Sequence, residues 1–148
     1  MNLPPDTQLS EELQEIYLQN KHWLADVEFL ADETRFFRIL FEKVLAGGVK
    51  EALFEEVRFV NLSLTDLETR REELRKLIIS HQKMVGSIIA NPGNPISIAL
   101  IEENTANTKE ILTLFSADRT LKSELFSLVE NVLRGDKASH LPITEPAC

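Results

Sequence analysis

Residues 53–88 read "LFEEVRFVNLSLTDLETRREELRKLIISHQKMVGSI", and one property of this stretch decides the fold. Leu53, Val57, Val60, Leu64, Leu67, Arg71, Leu74, Ile78, His81, Val85 and Ile88 follow one another in alternating steps of four and three. That is a heptad seam, the pattern of a helix packed along its length against other helices. Two of its positions are polar, Arg71 and His81. Ser63 and Thr65, in "NLSLTD" (61–66), are residues that favour helix caps. The seam nevertheless runs through them unbroken and predicts a single helix.

Outward from this helix the chain is punctuated at two places. Gly47-Gly48 precedes it, and "ANPGNP" (90–95) follows it. Before the glycines, Leu13, Ile16, Tyr17, Trp23, Val27, Leu30, Phe37, Phe41 and Val44 recur at steps near three and four, with Ser10 as the expected N-cap. After the turn, Leu100, Asn107, Ile111, Leu114, Asp118, Leu121, Leu125, Leu128 and Val132 line one face, and Gly135 is the expected stop. The expectation is an all-α, elongated antiparallel three-helix bundle with helices at about 10–46, 50–89 and 97–134, able to pair into a larger bundle. Residues 1–9 would form a flexible arm, 10–134 one domain, and 135–148 a disordered tail.

Composition narrows the function. The 148 residues carry a formal net charge of −8, which disfavours phosphate and anionic-lipid surfaces as partners. Neither nucleic acid nor membrane is expected. The longest uncharged run, between Lys83 and Glu102, is split by its proline-glycine turn and cannot span a bilayer. The start of the chain has neither the basic nor the apolar region of a secretory signal, so a cytoplasmic location is expected. The single cysteine, Cys148, allows neither an intramolecular disulfide nor a thiolate zinc site. No Glu-x-x-His pair occurs, and no metal or other cofactor is expected.

Chemistry-bearing residues gather at three places. On a 100° wheel His22, Asp26 and Glu33 fall inside the apolar arc of the first helix, an unusual position for charge. Folding about Gly47-Gly48 sets residue x of that helix opposite about 95 − x of the second, and about 187 − y relates the second to the third. His22, Asp26, Arg71 and Asp118 then share one interior layer, with Glu33 and Lys122 one to two turns along. Such a layer is either a salt-bridge network that fixes register or the lining of a ligand or metal site. His81 falls near Asn107 and not far from Tyr17, as a second polar pair. Third, the uncharged tip places Ile88, Ile89, Ile96 and Ile98 around one turn, a candidate interface. The reading is a non-catalytic helical bundle acting through protein–protein contact or self-assembly, as a homo-oligomer. The alternative is a small-molecule or metal site, with enzymatic chemistry, at His22, Asp26, Arg71 and Asp118.

Overall fold

In the computed structural model the backbone is described for residues 5–91 and 98–140, and side chains for 11–91 and 98–135. Three long helices make up the fold: α1 (Pro5–Ala46), α2 (Phe54–Ala90) and α3 (Ile98–His140), with a 3-10 turn at Glu51–Leu53 before α2. All three pairs of helices are in contact, so the architecture is a three-helix bundle. Cross-helix pairs set the directions. Glu28 meets Arg75 and Arg38 meets Glu68, so α1 and α2 are antiparallel. Arg70 meets Glu110 and His81 meets Asn104, so α2 and α3 are antiparallel. Hence α1 and α3 run parallel, and Gln19 beside Asn104 and Glu33 beside Lys122 give their register.

The expected helix ends differ from those observed. Helix α1 starts at Pro5 rather than after Ser10. Proline suits a first helical turn, where its missing N–H leaves no partner unsatisfied. Helix α3 runs through Gly135 to His140. Stopping a helix with glycine requires left-handed backbone, which Gly48 supplies with φ 87° and Gly135 does not. At Gly135 the Lys50 stem lies 3.6 Å from where a Cβ would stand, so the absent side chain leaves room for the loop. Residues 5–9 of the expected arm and 136–140 of the expected tail are helical, and residues 1–4 and 141–148 lie outside the described residues.

The seams form the interior. Val60, Leu64, Leu67, Leu74 and Ile78 of α2 are buried, as are Ile111, Leu114, Leu121, Leu125, Leu128 and Val132 of α3. They meet Trp23, Val27, Leu30, Phe37 and Phe41 of α1 in one continuous cluster. Each such aliphatic or aromatic side chain contributes about 1.5–3 kcal/mol by leaving water. A smaller cluster of Leu13, Val85 and Leu100 closes the far end, with Ile88 and Ile89 half-buried against it. Between the clusters lie three buried polar side chains, one per helix: Asn20, His81 and Asn107.

Candidate functional site

The interior layer expected from the sequence is divided among three places. His22 is exposed and Asp26 half-buried, and both line an open groove between α1 and α3 with Leu18, Trp23 and Ile101. Arg71 is paired only with its neighbour Glu72, at 3.6 Å. Its Nε is buried without a hydrogen-bond partner. Asp118 is 4% exposed, as befits its seam position, and its company is Glu33, Lys122 and Arg119. No ion pair joins Arg71 to Asp26 or to Asp118 among the described residues. The physical reason is the connection before α2. Val49 and Lys50 and the 3-10 turn delay the helix to Phe54, so residue x of α1 lies opposite about 103 − x. That displaces Arg71 along α1 by roughly eight residues, about two turns, from the expected register.

The Asp118 cluster has its own chemistry. Lys122 Nζ stands 3.7 Å from Glu33 Oε1, close to the Asp118 carboxyl. Burial pushes that carboxyl up to about 7, helped by its hydrogen bond to Glu33 and by the negative charge there, against the pull of Lys122 and Arg119. At neutral pH the Asp118 carboxyl is therefore only about half ionised, because burial disfavours its charged form. Asp118 Oδ1 is buried and has no hydrogen-bond partner.

In the second polar layer, His81 is fully buried and its Nε2 meets Asn104 Oδ1 at 3.3 Å. Its partners are thus Asn104 and, with Nδ1 3.5 Å from a Glu103 oxygen, the start of α3, rather than Asn107 or Tyr17. Asn107 Nδ2 and Asn20 Oδ1 are buried and unpartnered. Asn20 donates to Ile16 O at 2.7 Å, and Thr34, also buried, donates to Leu30 O at 2.8 Å. Neither was expected in the interior. At the tip, Ile88 and Ile89 are half-buried, Ile98 is 75% exposed, and Ile96 lies outside the described residues. Among the described residues no group of three or more His, Cys, Asp or Glu is placed to hold a metal ion. No described helix is long and apolar enough to cross a membrane.

A further apolar surface lies on α1 and α3. Helix α1 carries a second set of four-and-three steps on its outer side: Leu18, His22, Ala25, Phe29, Asp32, Phe36 and Ile39. Leu18, Phe29 and Phe36 are each more than half exposed. Helix α3 carries another, one residue beyond its core seam: Ile98, Ile101, Thr105, Thr108, Leu112, Phe115, Arg119, Lys122, Phe126, Val129 and Leu133. In heptad geometry both stripes point out of the face that α1 and α3 share. The α1/α2 face is crossed by polar links. Arg38 crosses from α1 to α2, donating to Asn61, Thr65 and Glu68, and Arg75 reaches Glu28. Between α2 and α3 an open groove mixes Phe59, Leu112 and Leu121 with Ser63, Asp66 and Ser116, so Leu112 also borders this side.

No protein-family model matches the chain, and no curated protein or solved structure shows significant similarity to it.

Proposed function

We propose that the protein is a non-catalytic helical-bundle module that works by protein–protein contact through the α1/α3 face. The observation that carries this reading is the second heptad stripe on each of these two helices, exposed along one face. At about 150–200 Å² per fully exposed large side chain, the exposed apolar residues on the two stripes leave roughly 800 Å² of apolar surface. One side of an ordinary interface buries about 800 Å². The alternative of a ligand or metal site has less behind it, since His22, Asp26, Arg71 and Asp118 do not assemble into one place. A photo-crosslinking amino acid at Phe36 or Phe126, compared with one at the still more exposed Leu62 on α2, tests the reading in cells that make the protein. Adducts to protein from the first two positions and none from Leu62 are expected. No adduct from the α1/α3 face refutes the contact role.

A further inference from the structure

Resting on the contact-face reading, we propose that the occupant of the α1/α3 face is a second copy of this chain, docked antiparallel about a two-fold axis. Three observations converge on it. The first is the register of α1. In a two-fold antiparallel pairing where residue i faces roughly 54 − i, Leu18 meets Phe36 of the second copy and Ala25 meets Phe29. His22 then meets Asp32, Glu11 meets Lys43, and Ile39 lies along the stem of Glu15. A slip of one heptad in one direction sets Asp32 against Glu15, and in the other sets Phe29 against Asp32.

The second is the register of α3, obtained from different residues. Pairing i with roughly 227 − i sets Ile101 against Phe126 and Leu112 against Phe115, with Thr108 facing Arg119. A one-heptad slip puts Arg119 on Ile101 or Lys122 on Leu112. The two axes pass near position 27 of α1 and between 113 and 114 of α3, an offset of roughly 86–87 residues. Within one copy, the bonds that fix α3 beside α1 join residues 85 and 89 apart, Gln19 with Asn104 and Glu33 with Lys122. Both stripes therefore place the axis at the same height, which one rigid pair of copies requires.

The third is charge. Glu11 lies near one end of the face and Lys43 near the other. An antiparallel copy brings Glu11 of each chain beside Lys43 of the other, which favours pairing despite the net charge of −8. A parallel copy would stack like on like.

Sedimentation of the full chain from about 1 to 100 μM should show dimer, with Phe29→Glu raising the dissociation constant more than tenfold and Leu62→Glu leaving it unchanged. Retained helical circular dichroism of both variants separates this effect from unfolding. In a Cys148→Ser background, Leu18→Cys and Phe36→Cys chains should form a disulfide-linked dimer when mixed. Neither should do so alone, because a residue and its own mate would stand roughly 27 Å apart. A monomer at every concentration, a dimer indifferent to Phe29→Glu, or self-linking of either single-cysteine chain overturns the proposal. If the photo-adducts at Phe36 then carry the mass of a different protein, the second copy is refuted and the contact face stands. If no adducts form, both fail.

Discussion

Replacing Asp118 by asparagine isolates the buried carboxyl pair. Its carboxyl is held at about 7 in the folded protein against 3.8 when exposed. The folded value is raised, so the folded state keeps a proton that the unfolded chain releases between these limits. Stability from this group is therefore fully present below about pH 4 and is lost as pH rises toward 7. Each unit of difference is worth about 1.4 kcal/mol, which sets a ceiling of about 4 kcal/mol. Because Glu33 shares the site, about 3 kcal/mol is the expected loss. Asn has the same shape and no charge, so Asp118→Asn should match the wild type within about 1 kcal/mol at pH 4 and exceed it by about 3 kcal/mol at pH 8. Urea denaturation followed by circular dichroism across this range reads the difference directly, and subtraction removes the other carboxylates. Lys122→Met should widen the window upward, since Lys122 lowers the Asp118 value. Wild-type and Asp118→Asn stabilities that stay parallel within about 0.5 kcal/mol from pH 4 to 8 would refute the raised Asp118 value.

Arg71→Met should cost about 1 kcal/mol or less in the same assay, because among the described residues the guanidinium pairs only with half-buried Glu72 and keeps a buried, unpartnered Nε. A loss of 3–5 kcal/mol would instead mean a closed interior network. His81→Leu should be nearly neutral and His81→Ala should cost about 2–3 kcal/mol, since the ring fills a fully buried seam position while only Asn104 bonds it well. Leu114→Ala, at the centre of the main cluster, should cost about 3 kcal/mol, read from the denaturation midpoint at unchanged slope.

The seams of α2 and α3 were legible because their stepping was followed whatever residue occupied a position. Arg71 and His81 were kept on the α2 seam, and Asn107 and Asp118 on that of α3. All four are buried or half-buried. On α1 the apolar residues alone do not reveal Asn20 and Thr34. Both stand on the unbroken series 13, 16, 20, 23, 27, 30, 34, 37, 41 and 44, where the stepping alone locates them. The wheel misplaced the carboxylates for a related reason. At 100° per residue it drifts by about 20° per heptad against a 3.5-residue repeat. Asp26 and Glu33 were drawn toward the arc centre, although each stands one residue before a seam position and is half-buried. The Arg71 layer failed on loop length, which seam periodicity does not encode.

The exposed stripes obey the same rule and were equally readable. A polar Asp32, Thr105 or Arg119 does not interrupt a four-and-three series any more than Asn20 does. Helix α2 has no such second series. Phe59 and Leu62 begin one, and Asp66, Thr69, Glu73 and Lys76 occupy its continuation. A helix that repeats its apolar spacing on two sides needs cover on both. The chain supplies cover for one side of α1 and α3 and for the only seam of α2. What distinguishes the α1/α3 face is thus not the number of exposed apolar residues but their periodicity, which a surface selected only for solubility has no cause to keep.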